Sequence, residues 1–470
     1  MANLGTAFAA TEIRHQGELT GMLLDCEKIP GAVRTIIGKL DRAGYEAWLV
    51  GGCVRDLCLG LTPKDFDLAT NARPEQIQKL FTRHFLTGAK HGTVTVLWQG
   101  MSFEITTFRS ESAYSDARHP DQVIFRSTIA EDLARRDFTM NSLAWRSDRG
   151  LLDLYGGLSD LRQGVLRTVG DAQARFGDDL LRLLRAVRFS VTYNLTPVPD
   201  LVQAAAEHAQ NLGQLSRERI IAEMIVILGA PHAHQLKSFA GSDIMAETAR
   251  LFFAVRTDDQ VLCHNLSRLV QPDLPEALRL PLFYLCSTAL DLQAAGLRRA
   301  LGRFFIRASD RAVQDLFVRE ARLPRHLARD AQAILYLCYL RLLLPLDQPL
   351  SVVTRCRLFR LLARHGNLKR EELRAPIEMA ARLLQLSLGT ALPGSDLSLD
   401  ACRVVPLTLE ELALSGRQLR LAGCPDGPVL GNVLQRLLSR TIQEPLLNQP
   451  AELMAIALSW RSSTDKPHKK

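Results

Sequence analysis

The 470-residue chain lacks any Cys-x-x-Cys pair, although it carries nine cysteines. These are scattered at positions 26, 53, 58, 263, 286, 338, 356, 402 and 424, mostly among apolar neighbours. That spacing argues against a zinc ribbon and favours reduced core thiols over a disulfide framework. The eleven histidines offer no metal-ligand spacing either: His232 and His234 are the closest pair, and no cysteine or acidic cluster accompanies them. A secretory leader pattern is missing, because Met1 to Pro30 mixes His15, Glu18, Asp25 and Glu27 into its apolar stretch. The most apolar run, Ile334 to Leu346, is broken by Arg341 and Pro345 and falls short of the ~20 residues a bilayer-spanning helix needs. Internal repeats and an HD-type phosphohydrolase motif are absent from the sequence. These absences together lead to the expectation of a cytoplasmic protein that does not engage a membrane.

What is present is ordinary in amount and unusual in kind. With 47% hydrophobic and 23% charged residues the chain is an ordered globular protein. At ~150 residues per domain its length suggests roughly three domains. Lys and Arg number 58 against 50 Asp and Glu, for a net +8, and most of that positive charge is arginine. Arginine suits planar, bidentate recognition of phosphates and base edges. An excess of this size permits a nucleic-acid partner without demanding one.

The first third reads as mixed. Ala47 to Val50 has the pattern of a short strand, Gly51-Gly52 opens a helix over Cys53 to Leu59, and Phe66 to Ala69 reads as a second strand. Two further strands, Thr93 to Trp98 and Phe103 to Phe108, alternate apolar and polar residues around a turn at Gly100. From about Asp171 the pattern turns helical. It stays so almost to the end, divided by Pro- and Gly-containing breaks near 196–199, 229–231, 272–275, 345–349 and 392–395. The expected architecture is an α+β head with a mixed sheet, followed by an all-α neck, body and tail. The short basic end, Lys466 to Lys470, is the one biased segment.

Three groups of residues carry chemistry. Leu49-Val50-Gly51-Gly52-Cys53-Val54-Arg55 takes a strand through two glycines into a helix, where backbone N–H groups can approach an anion and Arg55 can hold a phosphate oxygen. A plain tight turn would use the same residues. Asp65 and Asp67 stand at i and i+2, so on a strand their carboxylates share one face. Paired carboxylates repel, and a divalent cation shared with substrate phosphates is a reason to place them together; a solvated acidic turn is the alternative. Glu104, on the polar face of a later strand, can be a third carboxylate beside them. In Asp179 to Arg188, Leu180, Leu183, Leu184 and Val187 form an apolar helical stripe, with Asp179, Arg182 and Arg185 opposite at three-residue steps. Taken alone, that polar side is a surface ion-pair row worth little in stability.

In order along the chain, GGCVRD…DFDLAT, TGAKHGTVTV…FEITTFRSE, EDLARRDFTMNSLAW and GDDLLRLLRAVRF resemble the bacterial class II tRNA nucleotidyltransferases. These are the CCA-adding enzymes, grouped with bacterial poly(A) polymerases. The resemblance implies a nucleotidyltransferase-fold head in which Asp65 and Asp67 bind two Mg2+ ions and Glu104 is the third acidic position. It implies that Gly52 and Arg55 hold the incoming triphosphate, and that Arg136 and Asp137, with Asn141, grip the nucleotide. Asp179 and Arg182 become an amino-acid template for the base of CTP or ATP, with Arg185 and Arg188 also on the nucleotide. The acidic pair before the template is usually Glu-Asp in the family and is Asp178-Asp179 here, which bears on fine positioning of the template.

The resemblance further implies an N-terminal extension over 1–30, a catalytic head over 31–165, a neck over 166–235 and a tRNA-binding body and tail over 236–470. The substrates would be the tRNA 3′ end, CTP and ATP. Residues 111–120 resemble a loop that enzymes adding only CC lack, so the alternatives left open are A-only addition and polyadenylation. A non-catalytic RNA-binding protein is the competing class. Ser415 to Leu419, Gly427-Pro428, Gly431 and Leu446 to Asn448 resemble the tail of bacterial CCA-adding enzymes rather than the long basic extension of poly(A) polymerases. Arg298, Arg299, Arg303 and Arg307 are candidates for an RNA-facing surface.

Overall fold

The computed structural model describes residues 11–15, 18–88, 92–112, 122–125, 128–253, 255–288, 301, 334–335, 337–338, 351–366, 370–388, 402 and 405–464. The expected loop at 113–120, the arginines at 298, 299, 303 and 307, most of 334–346 and the basic end lie outside these residues. The chain divides into two compact units, Met1–Thr248 and Ala249–Lys470.

The first unit is built on a seven-stranded mixed sheet. A small hairpin of β1 (Thr11–His15) and β2 (Glu18–Leu24) precedes α1 (Gly31–Arg42), whose Val33, Ile36, Ile37 and Leu40 bury one helical face. There follow β3 (Ala47–Val50), α2 (Gly52–Cys58), β4 (Asp67–Thr70), α3 (Pro74–Leu80), β5 (His84–Gly88), β6 (Thr93–Trp98) and β7 (Met101–Thr107). After the side hairpin of β8 (Arg109–Ser112) and β9 (Gln122–Phe125) come α4 (Ile129–Ala134), β10 (Leu143–Arg146), β11 (Gly150–Asp153) and α5 (Gly157–Gln163). Sheet order is β11-β10-β3-β4-β7-β6-β5, with only the β4–β7 pair parallel. The β6–β7 turn uses Gln99 at φ 49° and Gly100 at φ 80°, the left-handed pair that matches the twist of a two-residue hairpin. Trp48, Val50, Ala69, Phe108, Ile129, Leu133 and Ala144 form a core on one face of this sheet.

Two boundaries differ from the sequence reading, and both touch the site. The second strand starts at Asp67, because its parallel partner β7 offers pairing only from Glu104 opposite Asp67 onward. Asp65 therefore lies in the loop before the strand, and strand alternation does not set its direction. The template region is also not one helix. The chain forms α6 (Ala172–Asp178), becomes extended at Asp179 (φ −148°, ψ 107°) and starts α7 at Leu181, ending at Tyr193. The break is stabilised locally, since Leu181 N–H donates to the Asp179 carboxylate at 3.0 Å. The predicted stripe survives it: Leu180, Leu183, Leu184 and Val187 are all buried. Beyond α7 come α8 (Pro199–His208) and α9 (Arg217–Ile227), the latter packed on α7.

The second unit is helical throughout its described residues, with longer helices at Val352–Gly366, Arg370–Leu388, Pro428–Gln443 and Pro450–Thr464. Leu412, Leu414, Leu419, Leu437, Leu438, Leu453 and Ala457 form one of its cores. Ser415 and Gln418 close a reciprocal capping box at the start of the tail motif. Among the described residues no helix is long and apolar enough to cross a membrane. Seven of the nine cysteines are buried thiols, and Cys26 and Cys424 are half-buried.

Candidate active site

One edge of the sheet gathers the end of β3 and the starts of β4 and β10. Val50 runs into Gly51, whose N–H donates to Leu143 O at 2.9 Å. Gly51 has φ 79° and ψ −134°, a conformation that side chains rarely adopt. A Cβ there would also stand 2.5 Å from Arg136 Nη1. Gly52, which the sequence reading singled out, is the less constrained of the two: a Cβ would meet only the end of Arg55, at 3.5 Å. We expect Gly51→Ala to lower unfolding stability by about 1–3 kcal/mol and to push Arg136 out of place. Gly52→Ala should leave the urea midpoint nearly unchanged, and denaturation of the two variants side by side checks this.

Asp67 and Glu104 are direct neighbours across the parallel β4–β7 pair. Partial withdrawal from water, and then the Glu104 carboxylate, push the Asp67 pKa up to about 6; Arg136 opposes the shift and Asp65 adds to it. The outer edge of Asp67 is nonetheless exposed, as are Asp65 and Glu104. Among the described residues none of the three forms a salt bridge, and no group of three or more His, Cys, Asp or Glu is preassembled as a metal cage. Exposed oxygen ligands in mutual repulsion, too few to enclose an ion, fit a Mg2+ that completes its shell with substrate phosphates and water.

Facing the glycine turn is a shelf of arginines, each tied to a carboxylate. Arg55 donates to Asn141 Oδ1 at 2.6 Å and to Asp56 at 2.8 Å, and its guanidinium lies 4.2 Å from the Tyr193 ring centre while bonding the Tyr193 hydroxyl. Arg185 donates Nε and Nη2 to Asp137 Oδ2 at 2.8 and 2.5 Å. Arg188 pairs with Glu223 at 2.5 Å. The Phe189 ring sits among all three, with guanidinium distances of 5.5, 5.1 and 4.2 Å to Arg55, Arg185 and Arg188. An aromatic face held between cations lets like charges approach without full repulsion. Arg136 completes the set, donating to Asp132 at 3.2 Å and to Asn141 O at 3.3 Å.

Asp137 is the hub. Its Oδ1 accepts from Phe138 N–H at 2.9 Å and from Asn141 Nδ2 at 3.0 Å. Burial works against its charge, but Arg185, Asn141 and Arg182 outweigh it and hold the carboxyl well below the usual carboxylate range. A depressed pKa contributes stability that is complete above the unfolded value of about 4 and is lost as pH falls from there toward the folded value. We expect Asp137→Asn to flatten the pH dependence of unfolding below pH ~4. At neutral pH it should cost about 2 kcal/mol, because Arg185 loses its counter-ion while remaining partly exposed. Denaturant titrations from pH 3 to 7 measure both.

Asp179 and Arg182 do not pair with one another. Arg182 is buried, donating to Arg175 O at 3.0 Å, Arg135 O at 3.3 Å and Asp178 at 3.4 Å. Asp179 instead pairs with Arg219 of α9 at 3.1 Å. The helix break explains this, because i and i+3 meet only on a continuous helix. The network remains connected, since Asp179 acts electrostatically on Arg185, which holds Asp137. Gly51, Phe189, Tyr193 and Arg219 thus join the constellation beyond the residues the sequence reading assigned to the nucleotide, and Asn141, which it did assign, bonds Arg55 and Asp137. The i, i+4 spacing of Arg185, Phe189 and Tyr193 is the pattern that could have found two of them.

The site thus sets a parallel-paired acidic corner beside a glycine turn and an arginine shelf. Residues 47–167 match the poly A polymerase head domain. The match spans three of the four motif groups noted in the sequence, those between Gly51 and Trp145. Among curated relatives, the CCA-adding enzyme of Levilactobacillus brevis is 48% identical over 195 residues, 42% of this chain and 49% of that protein. That of Leuconostoc mesenteroides is 47% identical over 208 residues, 44% of this chain and 52% of its own. The chain spans about half the length of these curated relatives. The structure of Bacillus stearothermophilus CCA-adding enzyme in complex with CTP is similar at a TM-score of 0.67 and 28% identity, covering 93% of this chain and 98% of that one. Thermotoga maritima CCA-adding enzyme complexed with tRNA-CCA shares the fold at a TM-score of 0.57 and 19% identity, covering 93% and 97%.

Proposed function

We propose that this protein is a tRNA nucleotidyltransferase that adds CCA to the tRNA 3′ end from CTP and ATP. The observation that carries this reading is the convergence of the Asp67–Glu104 pair with Arg136 over Gly51, beside the Arg55–Arg185–Arg188 shelf. Such a site can hold a triphosphate at one end and a cation at the other. The similarity to a CCA-adding enzyme in complex with CTP supports the choice of substrate. Asp65 and Asp67 would hold two Mg2+ ions, with Glu104 beside them, which would supply neutralisation of triphosphate charge and a lowered pKa for the primer hydroxyl.

The protein's own side chains do the selecting. Arg55 and Arg136 orient the phosphates, and Asp137, through Arg185 and Asn141, keeps the shelf rigid. Asp179 accepts from the exocyclic amine of cytosine or adenine, and Arg182 donates to the adjacent ring nitrogen. Guanine and uracil present the opposite donor–acceptor order, leaving both protein groups mispaired. Arg182 must exchange its Asp178 contact or a backbone carbonyl contact for the base, so Asp178 sets its resting position. The shorter Asp at this place reaches both Arg175 and Arg182, at 3.3 and 3.4 Å. Supplying each of the four labelled nucleotides singly to tRNA that ends at its discriminator base tests the reading. CMP incorporation alone is expected, with AMP incorporated on tRNA ending in CC; incorporation of GMP or UMP at comparable rates would overturn it.

A further inference from the structure

We infer that Arg219 is a positioning residue for base selection, holding the Asp179 carboxylate in the orientation that reads the nucleotide. The inference rests on the assignment of Asp179 as base reader. Arg219 stands near the start of α9, forty positions from Asp179. Its Nη2 reaches both carboxylate oxygens, Oδ2 at 3.1 Å and Oδ1 at 3.4 Å. Oδ1 also receives Leu181 N–H at 3.0 Å. Asp179 is thus held on two sides, by its own backbone turn and by a neighbouring helix.

In the extended break between two helices the Asp179 carboxylate is held from its own segment only by the Leu181 N–H at Oδ1, and Arg182 is committed elsewhere. Arg219 supplies the second constraint, at Oδ2. It also lowers the cost of a largely buried negative charge placed to meet a neutral base. A second observation points the same way: Arg219 Nη1 is buried and has no acceptor within the protein. An unmet buried donor is costly, and its natural use is an acceptor that arrives with the nucleotide. Charge alone would be met by lysine. The two-pronged guanidinium holds the carboxylate with one nitrogen and leaves the other for the incoming molecule.

The test measures discrimination rather than rate. For Arg219→Ala, Arg219→Lys, Asp179→Ala and the double variant, kcat and KM are determined for CTP and UTP on tRNA. Nucleotide affinity is measured separately by calorimetry. Arg219→Ala should lower the CTP-to-UTP ratio of kcat/KM by about tenfold or more, with Arg219→Lys restoring part of it. In the Asp179→Ala background, removal of Arg219 should change the ratio no further. If Asp179→Ala alters the ratio and Arg219→Ala does not, the inference is wrong while the base-reader assignment stands. If Asp179→Ala leaves the ratio unchanged, the underlying assignment is what fails. Should Arg219→Ala not fold, Arg219→Lys with a wild-type ratio and wild-type CTP affinity would overturn the two-pronged role.

Discussion

Asp67→Ala is expected to abolish nucleotide transfer while tRNA binding persists, and Asp65→Ala to behave alike. The expected loss is at least about a thousandfold in kcat, equivalent to ~4 kcal/mol of transition-state charge stabilisation. The reason lies in what surrounds these carboxylates. Asp67, Asp65 and Glu104 repel one another without a compensating salt bridge among the described residues, and a bound divalent cation would remove that repulsion. The substitutions should not unfold the head, since Asp65 precedes the strand and Asp67 is exposed at its first residue. Relieving repulsion without a metal predicts slightly higher stability of Asp67→Ala in chelator, measured as a raised urea midpoint. Gel-shift binding together with single-turnover extension separates lost chemistry from lost RNA. Near-wild-type turnover in either variant would remove that aspartate from the metal site.

The second large effect concerns choice of nucleotide. Asp179→Ala should relax selection far more than it harms primer binding, lowering the preference for CTP over UTP by about a hundredfold or more. A site built around specific donors and acceptors rejects the mismatched base because buried polar groups would be left unpaired. Removing the acceptor removes the penalty. Arg182 would still be held by Asp178, Arg175 O and Arg135 O, so the pocket should not collapse. Steady-state incorporation of all four nucleotides reads the effect, and an unchanged order of preference would refute the template role.

How far the sequence foreshadows this arrangement differs from residue to residue. The strands at 47–50 and 93–98 are legible because a buried or alternating pattern is set by local chemistry alone. The apolar stripe of α7 is legible for the same reason. Which of two adjacent glycines is indispensable is not, because φ depends on where the chain goes next: Gly51 turns under Arg136, which is eighty-five positions away. The break at Asp179 is hidden because the leucines on either side keep helical spacing across it. The expected Asp179–Arg182 row dissolves once the carboxylate caps its own turn and meets Arg219. Partners such as Asn141 for Arg55, or Arg219 for Asp179, exist only after α2, α7 and α9 have packed. Motif order points to the candidate residues; tertiary packing decides who holds whom.

Product length on tRNA ending at its discriminator base, with CTP and ATP supplied together, separates the possible activities. Growth by three nucleotides, C, C and A, and then a halt is expected, with tRNA ending in CC gaining a single A. An open-ended run of adenylates would assign the head to polyadenylation, addition only to tRNA ending in CC would mark an A-adding enzyme, and no extension at all would contradict catalysis outright.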